Sequence, residues 1–149
     1  MSNYTVINYK PKYFENCLDI AISNTPKYID PSELILYRKF LEEKKLYFVL
    51  MKKSKIIACG GYAFNKLKNI VGLTWGLVHK EYHRQGIGSF LLEYRISEIR
   101  DKYPKSIIIL DTSQHTHKFY KKYGFNTTNI IKHGYGKNLH KHKMQLRLC

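Results

Sequence analysis

The sequence predicts an α/β fold built on a mixed sheet, in the element order β-α-α-β-β-β-α-β-α-β-β, as one domain over residues 1–149. Three observations predict it. Two stretches with helical spacing, 11–24 and 32–45, follow a short strand-like segment. A run rich in β-branched and aromatic residues, 46–80, then contains two turn signals. Beyond it, a short apolar run at 106–112 stands between two further helical stretches, as a central strand would.

Taken in order, "YTVINYK" (4–10) alternates loosely and reads as the first strand. In "PKYFENCLDIAISN" (11–24), Phe14, Leu18 and Ala21 or Ile22 recur at helical spacing behind Pro11, which suits a helix start. "TPKYIDPSE" (25–33) carries two prolines and reads as a loop. "SELILYRKFLEEKK" (32–45) repeats the helical pattern, with Ser32 as the expected N-cap. Residues 46–80 then read as three antiparallel strands, turning at Lys53-Ser54 and between Asn65 and Asn69.

Residues 86–103 read as a helix that stops before Pro104. Its apolar residues fall into two sets, 87, 90, 91, 94 and 92, 96, 99, 103, so it is expected to pack into the body of the domain. "SIIILDT" (106–112) reads as a buried central strand. "SQHTHKFYKKYGF" (113–125) reads as a helix capped by Ser113 and closed by Gly124. A weak strand follows near 125–131. The last strand lies in "HKHKMQLRL" (140–148), where His140, His142, Met144, Leu146 and Leu148 share a face.

Composition narrows the function classes. A hydrophobic content of 44% excludes a disordered chain, and a chain of 149 residues can bury a core without covalent staples. Thirteen tyrosines suggest half-buried packing, with a few available to line a pocket. Cys17, Cys59 and Cys149 are odd in number and form no CxxC, which argues against a disulfide framework and a zinc site. The N-terminus has no apolar signal-peptide core, and the longest apolar run, 70–78, is about half a bilayer span, so a cytoplasmic location is expected. Lys plus Arg number 26 against 11 Asp plus Glu, a net charge of +15. Such a surface attracts anions such as nucleic acid, acidic headgroups or phosphorylated ligands. The lysines are scattered with no block of five, so simple solubility accounts for the charge equally well.

The chemistry concentrates in "EYHRQGIGSFLLEY" (81–94). Gly86 and Gly88 stand where a strand gives way to a helix, although glycine inside a helix costs about 1 kcal/mol against alanine. A helix N-terminus offers unpaired N–H groups and about half a positive charge, and glycine lets a ligand approach the backbone. "HRQGIG" is therefore expected to cradle phosphate oxygens, with Arg84 as an added cation. It is neither GxxxxGK[ST] nor GxGxxG, since Leu91 fills the third glycine position. A plain strand-to-helix turn is the competing reading of a bare GxG.

"LVHKEYHRQGIGSFLL" (77–92) resembles the acetyl-CoA-binding motif of the GNAT superfamily of N-acetyltransferases, Gln/Arg-x-x-Gly-x-Gly/Ala, which falls on residues 83–88. "KFYKKYGF" (118–125) resembles the second signature of that superfamily, an aromatic-Tyr pair five residues before Gly-Phe. The element order matches the GNAT fold over nearly the whole chain. Three positions depart from the pattern: His83 replaces the usual Gln or Arg, and Ser113 and Thr116 stand where many members have Asn and Ala.

The resemblance implies an N-acetyltransferase with acetyl-CoA as cosubstrate, lying between the splayed ends of the fourth and fifth strands. It implies pantetheine contacts near Leu77 and Val78 and a pyrophosphate held on His83, Arg84, Gln85, Gly86, Ile87 and Gly88, with Ser89, Ser113 and Phe119 completing the set. It places Tyr120 as the general acid for the leaving thiolate, in a direct transfer that needs no metal. A packed helical tyrosine between Phe119 and Tyr123 is the alternative for Tyr120. The attacking amine must lose a proton to a base or to water, and His79 and Glu81 are candidates. The pairs His115/His117 and His140/His142 lack a third ligand by spacing, so no metal site is expected. The loop 25–33, with Tyr28, Asp30 and Glu33, is expected to shape the acceptor pocket, unless its two carboxylates serve as helix-start residues. The acceptor is a small-molecule or peptide amine of open identity. Nucleic acid is expected to bind weakly if at all, no membrane is involved, and a homodimer is allowed. The rival reading is a basic, non-catalytic module that binds acyl-CoA or nucleic acid; the charge favours it, the Tyr120 signature does not, and no RRM, KH or C₂H₂ pattern is present.

Overall fold

The computed structural model describes residues 3–148; residues 1, 2 and 149 lie outside the described residues. The elements run β1 (Tyr4–Asn8), a 3₁₀ turn (Pro11–Tyr13), α1 (Phe14–Ser23), α2 (Glu33–Glu42), β2 (Tyr47–Lys52), β3 (Lys55–Asn65) and β4 (Ile70–Val78). After a second 3₁₀ turn (Lys80–Tyr82) come α3 (Ile87–Lys102), β5 (Ile107–Thr112), α4 (His117–Lys121), β6 (Asn126–Gly136) and β7 (Leu139–Arg147). The strands form one seven-stranded sheet in the order β1-β2-β3-β4-β5-β7-β6. Every neighbouring pair is antiparallel except β4 with β5. This is the mixed α/β sheet that the sequence predicts.

Local chemistry explains most of these elements. The β2–β3 hairpin turns on Lys53 and Ser54, both in the left-handed region, as a two-residue turn matching the strand twist requires. β2 is buried on both faces, so its alternation sorts residues between layers. Tyr47 and Val49 join α1 and α2 through Cys17, Ile20 and Tyr37, whereas Phe48 and Leu50 face the α3 side. The helix α3 buries Ile87, Leu91, Leu92, Ile96 and Ile99, which accounts for its two apolar sets. Among the described residues, no helix is long and apolar enough to cross a membrane.

Four local expectations are corrected. Ser32 has helical φ and ψ and makes no side-chain cap. Asp30 caps the turn instead: its Oδ2 accepts the Ser32 N–H at 3.0 Å, while Glu33 Oε2 accepts the Asp30 N–H at 2.9 Å. That reciprocal arrangement, with Pro31 between, is a capping box, so both acidic residues of the 25–33 loop serve the helix start. The helix expected over 113–125 shrinks to His117–Lys121, because Ser113 closes its own turn by accepting the His115 N–H at 3.2 Å. Gly124 does end it, with φ +94° and the Phe125 N–H donating to the Tyr120 carbonyl. β5 is central but not wholly buried: Ile108 and Leu110 are in the core, whereas Ile109 is 40% exposed, on a face outside the α1–α2 cluster. The weak strand near 125–131 is an eleven-residue strand, although nearly all of it is exposed. Its pairing with β7, not its own hydrophobicity, makes it a strand.

The histidines also pair differently from their sequence spacing. His117 stacks on His142 with ring centroids 4.6 Å apart, and His133 lies against His140. Burial, with His117 and His140 adding repulsion, pushes the His142 pKa below its ordinary value. A histidine depressed in the folded state favours folding above the unfolded pKa of about 6.5 and loses that contribution as the pH falls below it, because the unfolded chain takes up the proton first. Melting temperature is therefore expected to fall on acidification from about pH 7.5 to 5.5, and His142→Gln to flatten the slope. Parallel curves for the two proteins would remove His142 as the cause.

Candidate active site

β4 and β5 pair only between Ile70–Gly72 and Ile107–Ile109. Beyond that point β4 stays with β3 and β5 with β7, so the two strands part. The split opens a cleft of about 930 Å³. A bulge sharpens it: the β3–β4 register shifts between Cys59 and Gly61, and Trp75 adopts φ +36°. The Tyr47 hydroxyl donates to the Trp75 carbonyl at 2.6 Å, and Tyr47 is itself bonded to the buried Tyr37 hydroxyl at 2.9 Å. The aromatic layer under α2 thus holds the bulge open.

The outer end of β4 is tied down at one atom. The Val78 carbonyl oxygen accepts from Asn24 Nδ2 at 2.9 Å and from His83 Nε2 at 2.8 Å. These bonds join the end of α1, the strand end and the glycine loop. In that loop Arg84 has φ +63° and Gly86 φ +80°. The position of Gly86 needs glycine for its dihedral, since a Cβ there would meet nothing within 4 Å. Gly88 is different: its Cβ would lie 3.7 Å from Phe119 and 3.8 Å from Val78. The first α3 bond runs from the Phe90 N–H to the Gly86 carbonyl, and no side chain caps the helix. Its first N–H groups therefore lack helical acceptors, and no acidic residue stands in its first turn. This end of the cleft is suited to an anion.

The cleft brings together Leu77, Val78, His83, Arg84, Gly86, Gly88, Ser89, Ser113, Phe119 and Tyr120. The side chains of Gln85 and Ile87 fall outside it. Gln85 is exposed and reaches the Glu81 carbonyl at 3.5 Å, and Ile87 is packed in the core with Leu50 and Ile57. His79 and Glu81 are also outside the lining; His79 Nδ1 accepts the Glu81 N–H at 3.1 Å. Tyr28 and Glu33 line the cleft, and burial pushes the Glu33 carboxyl above its ordinary range. At the same end Tyr135 is raised by burial and by Asp111 and Glu33. A second hollow of about 530 Å³ beside α3, lined in part by Glu93, Arg100 and Leu146, has no comparable convergence of groups.

Arg95 is a lining residue that the sequence reading did not single out. It occupies an apolar position of α3 and is 3% exposed. Its Nη1 donates to the Gly61 carbonyl at 3.1 Å, and its Nε has no partner. Glycines make its room: a Cβ on Gly76 would sit 2.7 Å from Nη2, and one on Gly60 3.1 Å from Cζ. The ion pairs among the described residues, Lys102–Glu98 and Lys143–Asp111, do not include it. Burial opposes its charge, and Tyr120 leads the neighbours that sustain it. The signal was an arginine between Leu92 and Ile96, facing the glycines of "CGGY" and "WGL".

A family model described as an acetyltransferase (GNAT) domain matches residues 15–148. Among solved structures, the chain is similar to the ribosomal-protein-S18-alanine N-acetyltransferase from Escherichia coli, with TM-score 0.80, 20% identity, and 97% and 94% of the two chains covered. It is similar to the ribosomal-protein-alanine N-acetyltransferase from Brucella melitensis, with TM-score 0.75, 18% identity, and 97% and 99% coverage. It is also similar to an aminoglycoside 6'-N-acetyltransferase complexed with coenzyme A, with TM-score 0.76, 12% identity and 97% coverage of each chain. No curated protein matches the sequence.

Proposed function

This chain belongs to the GNAT family of acetyltransferases, and on that premise we propose that residues 1–149 act as one N-acetyltransferase domain taking acetyl-CoA as donor and an amine as acceptor. The observation that supports this most is the split between β4 and β5, with an uncapped, glycine-led helix N-terminus on one side and Tyr120 on another. The donor fits what is there. The loop 83–88 presents backbone N–H groups and the Arg84 cation to a pyrophosphate, and Ser89 adds a hydroxyl. The β4 edge near Leu77 and Val78 is freed by the parting of the strands, and, since the Val78 carbonyl is already taken by Asn24 and His83, it is the other backbone groups of that edge that can take the amides of the pantetheine arm. Phe119 packs near Gly88 and narrows the channel between them.

Bound acetyl-CoA supplies an acetyl group activated as a thioester. In the transfer a C–N bond forms and the C–S bond breaks, the nitrogen loses a proton and the sulfur gains one. Tyr120 holds its hydroxyl proton for the sulfur, with its ring fixed edge-on against Phe119 and Phe125. The carboxylates lining the cleft are Glu33 and Asp111, whereas His79 and Glu81 stand outside it.

The test is a thermal shift with acetyl-CoA, followed by a panel of amines with release of free thiol as the readout. A rise in melting temperature and acceptor-dependent thiol release are expected. No shift, together with no thiol release above hydrolysis, would sink the proposal.

A further inference from the structure

Strand pairing collects charge that is scattered along the chain. Residues 113–149 contain eight Lys and Arg and no Asp or Glu. β7 buries His142 and Met144, and Leu146 packs against the same core, so alternation turns Lys141, Lys143, Gln145 and Arg147 to the opposite face. The register carries that face onto β5, where Arg147, Gln145 and Lys143 stand opposite Ile107, Ile109 and Asp111. The α1–α2 cluster ends at Trp75 and Leu77 of β4, and Ile109 is left 40% exposed. A row of cations therefore lies along an uncovered part of the sheet.

The row begins at the mouth of the cleft. Asp111 and Tyr135 line the cleft, with Lys143 Nζ 3.5 Å from Asp111 Oδ1 and Lys141 Nζ 5.1 Å from the centre of the Tyr135 ring. From Lys141 to Arg147 it runs about 20 Å. Asp111 is the one carboxylate of β5, β6 and β7. Its pair with Lys143 is solvent-exposed, so it is weak and easily exchanged for another.

We propose that this row is a docking track for the acceptor, and that the acceptor is the N-terminal amine of a peptide whose following residues are acidic. An extended peptide has the rise and the alternation of β7, so acidic side chains at every second position can meet Lys141, Lys143 and Arg147. Ile107 and Ile109 give the track apolar ground beside its charges. The amino end lies in the cleft, where Glu33 and Asp111 offer it the opposite charge. A second copy of this chain does not fit, because it would set the same cations against one another. RNA has no aliphatic amine to acetylate, and the row has no aromatic residue for a base to stack on beyond Tyr135 at its head.

The proposal rests on the donor reading above, and one experiment separates the two. The protein is assayed with acetyl-CoA and hexapeptides that begin with Ala, Ser, Gly or Met and continue with Asp, Asn or Lys alone. The Asp peptides are expected to exceed the Asn peptides about tenfold in kcat/KM, through KM, the size that a few exposed ion pairs give. That preference should shrink as salt rises from about 0.05 to 0.5 M. Lys143→Glu with Arg147→Glu should reverse it in favour of the Lys peptides. Lys143→Gln with Arg147→Gln, which adds no charge beside Asp111, should abolish it and decides if the first pair fails to fold. Lys52→Glu with Lys53→Glu, the same charge change at the β2–β3 turn, should leave it intact. Absence of a thermal shift with acetyl-CoA overturns the donor reading and the track with it. With a normal shift, three outcomes overturn the track alone: no peptide acetylated, the three sets acetylated alike, or a preference that the β7 variants leave unchanged. Binding of a single-stranded RNA probe that the β7 variants abolish, without a preference for Asp peptides, assigns the row to nucleic acid and overturns it too.

Discussion

Tyr120→Phe is expected to lower kcat by roughly 10²–10⁴-fold, the contribution of a positioned general acid, while leaving the acetyl-CoA thermal shift nearly intact. The phenylalanine keeps the ring contacts with Phe119 and Phe125. What it removes is the proton for the departing sulfur. That hydroxyl acts mainly in the transition state, so the loss belongs in kcat and not in donor binding. A tyrosine that only packs would show the reverse: near-normal turnover and a small change in stability. Single-turnover rates and melting curves of the two proteins, side by side, separate these outcomes. A wild-type rate where chemistry limits would take Tyr120 out of the mechanism.

Gly88→Val is expected to abolish the response to acetyl-CoA with the fold retained. The first carbon of the new side chain fits, at 3.7 Å and 3.8 Å from its neighbours. The two methyls beyond it have only the space between Phe119 and Val78, the passage in front of the first α3 N–H groups. At a donor concentration a hundred times Kd, binding stabilises by about 2.7 kcal/mol, which for a domain of this size raises Tm by roughly 5–10 °C. The variant should show none of that rise, with a ligand-free Tm close to wild type. Gly86 would be a poorer probe: its φ of +80° means that any side chain strains the loop itself. A full thermal shift in Gly88→Val would show that the donor does not use this loop.

Much of this architecture is legible along the chain because it is set by neighbours a few residues apart. Helical spacing in 11–24, 32–45 and 86–103, the Lys53-Ser54 turn and the two glycines before α3 are each written within one or two turns of chain. Where local reading erred, it chose between nearby competitors. Asp30 displaced Ser32 as the cap of α2, and Ser113 closed a turn instead of starting a long helix. The glycine loop was visible because glycines are unusual at a helix start, and Tyr120 because the Phe119-Tyr120 pair ahead of Gly124-Phe125 resembles the second signature of the superfamily.

By itself, then, the sequence determined the order of the elements, the glycine-led helix start and the aromatic signature near its end. The tertiary structure alone decided where β4 and β5 part, and so where a cleft exists, because strand pairing is a choice among segments distant in sequence. It also decided that Asn24 reaches Val78 across 54 positions and that Arg95 reaches Gly61 across 34. Neither contact has a local pattern. An asparagine at a helix end looks like any other, and an arginine among apolar residues reads as surface until the glycines opposite leave it a space. The same holds for β6, whose exposed residues carry no hydrophobic signal and which exists because β7 offers it an edge to pair with. Hydrogen-bonding groups and charges take their meaning from what folding places opposite them, and that is settled only when the sheet closes.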